Sequence, residues 1–151
     1  MIRQFVGSDF CLKCFGCCRF KKKDSVWAPK LLDAEAEKLG ELIKLIANSE
    51  QDNFVCFSLD IPGNKCKIYS QRPFDCQLYP FLLNQRGENI FLAVDLNCPY
   101  VRQNLESQSF KEYVKELDDF LNSGDRLKQL RANLQLIQTY KEAQDLVELD
   151  I

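Results

Sequence analysis

The sequence predicts an α+β domain in which a cysteine-rich half with short strands is braced by helices. All eight cysteines and all five prolines of the 151-residue chain lie before residue 100. In that half, short apolar runs alternate with turn residues, whereas helical apolar spacing dominates the cysteine-free last third. We therefore expect one domain over residues 1–151, with a cysteine-cluster region at 1–100 and a helical hairpin at 101–151.

The first predicted helix spans about residues 33–48. Asp33 is its expected N-cap, and Glu35 and Glu37 place negative charge in the first turn, where the helix dipole favours it. Its apolar series consists of Leu32, Ala36, Leu39, Ile43 and Ile46. We expect this helix to brace the cysteine-rich half.

Two further helices are predicted in the last third, on either side of a turn at Asn122-Ser123-Gly124. The first carries an apolar stripe formed by Phe110, Tyr113, Val114, Leu117, Phe120 and Leu121. The second is expected to begin with Asp125 as N-cap and to carry on one face Leu127, Leu130, Leu134, Ile137 and Tyr140. A joint this short implies an antiparallel helical hairpin.

Between the helices, three short apolar runs are typical of strands. They lie at residues 54–57, 81–83 and 90–94. Pro62-Gly63 predicts a turn, and Gly87 lies in the loop between the second and third runs. We expect these last two runs to form a hairpin.

Charge and hydropathy exclude two classes of partner. The formal charge is −2 and the sequence pI is near 5.3, so the chain has no overall positive field for nucleic acid or anionic lipid. No apolar run approaches the roughly 20 residues that span a bilayer, and the first residues lack the pattern of a signal peptide. We expect a cytoplasmic protein without a nucleic-acid or membrane partner.

The residue types available restrict the chemistry to sulfur and oxygen ligands. In a reducing cytosol, clustered cysteines more often bind metal or perform redox chemistry than form structural disulfides. The chain contains no histidine. Any metal must therefore be held by thiolates and carboxylates, and a histidine general base is excluded.

The strongest motif is Cys11-Leu-Lys-Cys14-Phe-Gly-Cys17-Cys18. Two overlapping Cys-x-x-Cys turns bring three sulfur atoms towards one point. Adjacent side chains tend to point to opposite sides of an extended backbone, so Cys17 and Cys18 serve different sites, or one of them is a buried thiol.

Four later cysteines are expected to supply remote ligands, which makes all eight candidates for metal binding. The later four are Cys56, Cys66, Cys76 and Cys98. Cys18 and Cys56 could instead be buried thiols. Arg72 is a candidate cofactor-binding residue through a hydrogen bond to a thiolate, and the alternative is a hydrogen bond that orients the loop backbone.

These motifs resemble the YkgJ-type, or CxxCxxCC, family of cysteine-cluster proteins, which are described as chelating zinc or iron. The resemblance covers roughly residues 9–100. The cluster is matched by Cys11, Cys14, Cys17 and Cys18, and the middle pair by Cys56 and Cys66. The RPxxCxxYP segment is matched by Arg72-Pro73, Cys76 and Tyr79-Pro80, and the final cysteine by Cys98. A related cluster in flagellin lysine-N-methylases is associated with an iron-sulfur cluster, and this resemblance favours iron.

We therefore expect a protein that holds iron, as an iron-sulfur cluster, through cysteine thiolates. The spacing Cys11-x2-Cys14-x2-Cys17, with Cys98-Pro99 as a remote cysteine followed by proline, also permits a [4Fe-4S] cluster of the bacterial ferredoxin kind. One alternative is a structural zinc module with two four-cysteine sites, which could bind a protein partner. Another is an iron-dependent redox or protein-modifying enzyme, and the sequence does not decide whether the protein is catalytic.

Overall fold

A computed structural model describes residues 2–151 and confirms the α+β class. The contacts divide the chain into two units. The cysteine unit consists of Val6–Gln77, and the sheet unit consists of residues 2–5 and Leu78–Ile151. Within the described residues, no helix has both the length and the apolar character needed to cross a bilayer.

Short strands and three helices form the cysteine unit. The helices are α1 (Ser8–Cys11), α2 (Asp33–Ile43) and α3 (Phe74–Leu78). The strands are β1 (Arg19–Phe20), β2 (Leu45–Asn48), β3 (Asn53–Cys56), β4 (Leu59–Asp60) and β5 (Lys65–Cys66). Antiparallel pairing gives one sheet of order β1-β3-β2 and a second sheet of β4 and β5. The predicted strand at 54–57 and the turn at Pro62-Gly63 are confirmed as β3 and the β4–β5 turn.

The predicted helix over 33–48 is wrong after its first eleven residues. Helix α2 begins at Asp33, with Leu32 rather than Asp33 as N-cap, and it ends at Ile43. Glu35 Oε2 accepts a hydrogen bond from the Leu32 N–H at 3.0 Å, as in a capping box. The following residues pair along β3 as β2, because hydrogen bonds to a neighbouring strand outweigh the weak helical spacing of Ile43 and Ile46.

A small apolar core holds the cysteine unit together. Its buried members are Ile43, Val55, Cys56 and Leu59, and the partly buried side chains packed against them are Cys18, Leu31, Ile61 and Ile68. Two thiol side chains are therefore part of this core. The core lies among α2, β3 and β4, which are also the elements that lead into the later cysteines.

The sheet unit combines a four-stranded sheet with three helices. The strands are β6 (Phe81–Arg86), β7 (Asn89–Asp95), β8 (Ile137–Gln138) and β9 (Ala143–Leu149), and the helices are α4 (Pro99–Asn104), α5 (Gln108–Leu121) and α6 (Gly124–Arg131). The sheet order is β8-β6-β7-β9, with β6 parallel to β8 and the other pairs antiparallel. The predicted hairpin is confirmed as β6 and β7, and the predicted helix that ends before Asn122 is confirmed as α5.

The last predicted helix is correct only over its first turns. Helix α6 has Ser123 rather than Asp125 as N-cap and ends at Arg131. Leu134 is 60% exposed instead of packed, and Ile137 pairs with Leu83 in the sheet. Beyond α6, Leu134 lies in a 3-10 turn, Ile137 lies in β8 and Tyr140 lies between β8 and β9, so the helical spacing of these residues is misleading.

An aromatic cluster fills one side of the sheet unit and includes a residue from the start of the chain. The Phe5 ring centroid lies 6.0 Å from that of Phe81, 5.4 Å from Tyr100 and 5.5 Å from Phe110. Tyr113 completes the cluster, 5.2 Å from Phe81. Residues 2–5 are thus fixed in the sheet unit although the next 72 residues, from 6 to 77, belong to the cysteine unit.

Candidate metal centre

Seven of the eight cysteines lie in the cysteine unit, and Cys98 lies in the sheet unit. Cys98 is buried and is the N-cap residue of α4, where its carbonyl oxygen accepts a hydrogen bond from the Arg102 N–H at 3.2 Å. Cys11 ends α1, Cys14 and Cys17 lie on the loop that follows it, and all three are half-buried. The other four come from four separate segments of the cysteine unit.

Strand pairing brings the backbones of Cys18 and Cys56 together. Cys18 precedes β1 and Cys56 ends β3, and the Cys56 N–H donates to the Cys18 carbonyl oxygen at 3.1 Å. Cys18 has a positive φ of 60°, a conformation that few residues other than glycine adopt. The pairing therefore fixes an uncommon backbone conformation at the end of the cysteine motif.

Cys66 and Cys76 are positioned by the elements that follow β3. Cys66 ends β5 and pairs with Leu59 of β4. Cys76 lies in α3, whose first N–H, that of Phe74, donates to Glu35 Oε1 at 2.8 Å. Glu35 thus accepts hydrogen bonds at the beginning of both α2 and α3, which fixes the start of the helix that carries Cys76.

The carboxyl group next to Cys76 also holds this helix. Asp75 Oδ2 accepts a hydrogen bond from the Lys30 N–H at 2.8 Å. Burial raises the pKa of Asp75 to about 6, while the Lys30 N–H and the Lys30 charge act in the opposite direction. Burial in turn lowers the pKa of Lys30.

Cys18, Cys56, Cys66 and Cys76 act on one another electrostatically, and we refer to them as the four-thiol group. Burial, followed by the charges of Cys56 and Cys66, raises the pKa of Cys18 to about 12. Burial is also the main cause that raises the pKa of Cys76, and the charges of Asp75 and of the other three thiols add to it. The pKa of Cys56 is raised by burial and by Cys66. None of the four forms a disulfide, so each is available to bind a metal as a thiolate.

In their present positions the side chains do not form a closed coordination shell. In residues 2–151, no group of three or more cysteine, aspartate or glutamate side chains is arranged so that it could hold a metal ion. The donor set itself suits zinc and iron, because both metals are commonly bound in proteins by four thiolates.

Two arginines next to the four-thiol group have buried donors without a partner. Nε and Nη2 of Arg72 and Nε of Arg19 are buried and have no hydrogen-bond acceptor within the described part of the chain. The positive charges of both residues act on Cys18, in the direction that lowers its pKa. Buried guanidinium N–H groups are costly unless paired, so these donors fit an anionic centre formed by metal-bound thiolates.

Asn64, in the β4–β5 turn, contacts the loop that carries the first three cysteines. Its Nδ2 donates to the carbonyl oxygens of Leu12 at 2.8 Å, Cys14 at 3.0 Å and Cys11 at 3.4 Å. Its Oδ1 accepts from Arg19 Nη1 at 2.7 Å. Asn64 therefore joins the CxxCxxC loop to the residue that follows Cys18.

The sequence indicated Arg72 but did not single out Asn64. Arg19, which lies close to the basic run Lys21-Lys22-Lys23, was open to three interpretations: a solvated loop, a charge that offsets an anionic cysteine cluster, or a contact with an acidic partner. The turn at Pro62-Gly63 was visible in the sequence, but the loop that the Asn64 amide reaches lies about fifty residues earlier in the chain. Only the tertiary structure shows that contact.

Comparison with known proteins gives one match. The model of a family described as "CxxCxxCC: Putative zinc- or iron-chelating domain" matches residues 10–116, a range that contains all eight cysteines. No curated protein and no solved structure gives a significant match.

Proposed function

This chain belongs to the CxxCxxCC family of zinc- or iron-chelating domains, and from that premise we propose that the four-thiol group is its metal site. Metal chelation is the general function of the family. The ligands proposed here are Cys18, Cys56, Cys66 and Cys76. Cys11, Cys14, Cys17 and Cys98 remain candidate ligands because they match the family motif.

The observation that supports this site most directly is the pair of guanidinium groups with unpaired buried donors. Four thiolates around Zn²⁺, or around an oxidised [4Fe-4S] core, carry a net charge of about −2. Arg19 and Arg72 together carry two positive charges, and both act on Cys18. A loaded centre would therefore be balanced in charge and would give the orphaned N–H groups sulfur acceptors.

We favour iron, bound as an iron-sulfur cluster that would supply one-electron redox chemistry. Support comes from the resemblance to the cysteine cluster of flagellin lysine-N-methylases, which is associated with an iron-sulfur cluster. The ferredoxin-like spacing of Cys11, Cys14 and Cys17 supports iron only if these candidate ligands also take part. Structural zinc is the second candidate, because four thiolates are the donor set that closed tetrahedral zinc sites commonly use. The preference of a metal for soft ligands does not distinguish zinc from iron here, because thiolates suit both.

Anaerobic purification from iron-supplied cells decides between the two metals. The iron-sulfur proposal expects brown protein with iron and acid-labile sulfide in similar amounts and visible absorption that bleaches on reduction. Colourless protein with near-stoichiometric zinc and no sulfide would contradict the iron-sulfur proposal and support zinc. Absence of both metals would contradict the metal-site proposal itself.

Substitution of one thiol tests the assignment of the site. Cys66→Ser should lower the metal content, because it removes a ligand from a half-buried position without opening the core. The matched control is Lys65→Ser, the exposed neighbour on the same two-residue strand. Equal metal content and affinity in the two variants would show that Cys66 is not a ligand.

A further inference from the structure

The carbonyl groups that Asn64 binds lie at the end of a helix, where they have no intrahelical partner. Helix α1 ends at Cys11, with Leu12 as C-cap. The last carbonyl groups of a helix must find donors elsewhere, from water or from side chains. The two N–H groups of the Asn64 amide lie within hydrogen-bond distance of the Leu12 oxygen at 2.8 Å and the Cys14 oxygen at 3.0 Å, and the Cys11 oxygen, which also accepts from the Cys14 N–H, lies at 3.4 Å.

Local backbone hydrogen bonds also hold the loop. The Cys14 N–H donates to the Phe10 oxygen at 3.1 Å and to the Cys11 oxygen at 3.2 Å. The side chain of Leu12 is 47% exposed and that of Phe15 is 65% exposed, so apolar packing holds these two residues weakly. A side-chain amide that contacts three carbonyl groups is therefore a major restraint on the loop.

We propose that Asn64 is a positioning residue that fixes the CxxCxxC loop in its folded conformation before metal binds. The metal role rests on the proposed function and also requires that a candidate ligand of the loop, Cys11, Cys14 or Cys17, binds the metal. The restraint itself does not, because it is formed by hydrogen bonds between residues of the chain. Ordering the loop in advance removes an entropic cost from metal binding and slows the opening that releases metal.

Backbone conformation is the competing explanation for asparagine at this position. Asn64 has φ 47°, and asparagine tolerates positive φ better than most residues other than glycine. Glycine would satisfy that need without reaching the loop. Aspartate would still accept from Arg19, but its carboxylate could not donate to the loop carbonyl groups. Asn64→Gly and Asn64→Asp therefore separate the restraint from backbone preference and from the contact with Arg19.

Hydrogen exchange of the metal-free protein tests the restraint directly. Amide exchange at Lys13 and Cys14 should be about tenfold faster in both Asn64→Gly and Asn64→Asp, as expected from the loss of one or two net hydrogen bonds. Exchange in β3 should stay unchanged, which separates the effect from general destabilisation. Asp52→Gly, at φ 48° in the exposed β2–β3 turn, is the matched control and should leave the loop unaffected.

Metal release supplies the second readout. With Zn²⁺ as the probe, transfer to a competing chelator should be about tenfold faster from both Asn64 variants than from the wild type. Loop exchange or release rates in Asn64→Gly equal to those of the wild type would overturn the proposal. A wild type that binds no metal would overturn the proposed function, and loop exchange would then decide whether Asn64 restrains the loop.

Discussion

Arg72 is held in a fixed orientation while two of its donors stay unpaired. It follows the short 3-10 turn Tyr69–Gln71, and its guanidinium carbon lies 3.9 Å from the centroid of the Tyr69 ring. Its carbonyl oxygen accepts from Gln77 Nε2 at 2.9 Å. The ring of Tyr69 stacks against the guanidinium group and Gln77 holds the backbone, while Nε and Nη2 stay buried without an acceptor, which the proposed centre would supply.

Replacement of Arg72 should weaken metal binding without removing a ligand. We expect Arg72→Gln to lower metal affinity by about 10–100-fold, the usual range for residues that hydrogen-bond to metal ligands. The metal affinity of Arg72→Lys should lie between those of the wild type and Arg72→Gln, because lysine keeps the charge but lacks the planar pair of donors. Competition with a chelator measures the affinity, and Arg102→Gln, exposed on α4, is the control. Wild-type affinity in Arg72→Gln would show that the guanidinium has no contact with the centre.

The function of single residues could be predicted from the sequence where the residue type has few roles in proteins. Cysteines in Cys-x-x-Cys turns indicated metal, and the absence of histidine restricted the donors to sulfur and oxygen. Asn64 was missed because asparagine is common in turns, and Arg19 was not assigned to the site because basic runs are commonly solvated. Their significance depends on partners far away in the sequence, such as Asn64 with Leu12.

At the scale of elements, one buried side chain ties the C-terminal segment to the central hairpin. Asn84 of β6 is fully buried. Its Oδ1 accepts from the Tyr140 N–H at 2.9 Å, and its Nδ2 donates to Asp145 Oδ1 at 2.5 Å. Asp145 also pairs with Arg86 at 2.9 Å. A single amide thus connects β6 with the segments before and within β9.

Asn84→Ala should lower the free energy of unfolding of the sheet unit by about 1–3 kcal/mol. The substitution leaves the Tyr140 N–H without its acceptor and Asp145 with one donor fewer. Urea denaturation followed by far-ultraviolet circular dichroism measures the change. Asn89→Ala, exposed on β7, should shift stability by about 0.5 kcal/mol or less. Equal free energies of unfolding of the two variants would mean that the hydrogen bonds of the Asn84 amide do not contribute to the stability of the sheet unit.

Elements with strong local signals were predictable, and elements that exist through pairing were not. Helix α5 has an apolar stripe and a Ser107 N-cap whose Oγ accepts from the Phe110 N–H at 3.1 Å, all within one stretch of sequence. Strands β2 and β9 form because β3 and β7 offer hydrogen bonds along their edges. The local apolar spacing indicates neither of these strand pairings. At residues 45–48 it predicted a helix instead of β2.

At the scale of the whole molecule, the two units depend on different sources of stability. The sheet unit has strands of six and seven residues and an aromatic core around Phe81. The cysteine unit has strands of two to four residues, and two of its core side chains are thiols. Short strands with a small core gain much of their stability from cross-links, which a metal centre would provide.

Metal removal should therefore loosen the cysteine unit and leave the sheet unit unchanged. After chelation, amides of β2 and β3 should exchange faster, whereas those of β6 and β7 should keep their protection. Hydrogen exchange with mass spectrometry resolves the two units within one sample. Treatment with the same chelator after it has been saturated with metal is the control. Equal protection of β3 before and after chelation would show that folding of the cysteine unit does not depend on the metal.

The position of Phe5 has a consequence for the unfolded state. Because residues 2–5 and Leu78 onwards belong to the same unit, the cysteine unit is an insertion whose two ends are joined through a folded host. When the host stays folded, an unfolded insertion is a closed loop and not a free chain. Loop closure over about seventy residues removes conformational entropy worth on the order of 4 kcal/mol from that state. A cysteine unit that has lost its metal thus remains tethered at both ends, and its refolding needs less ordering than that of the same segment in isolation.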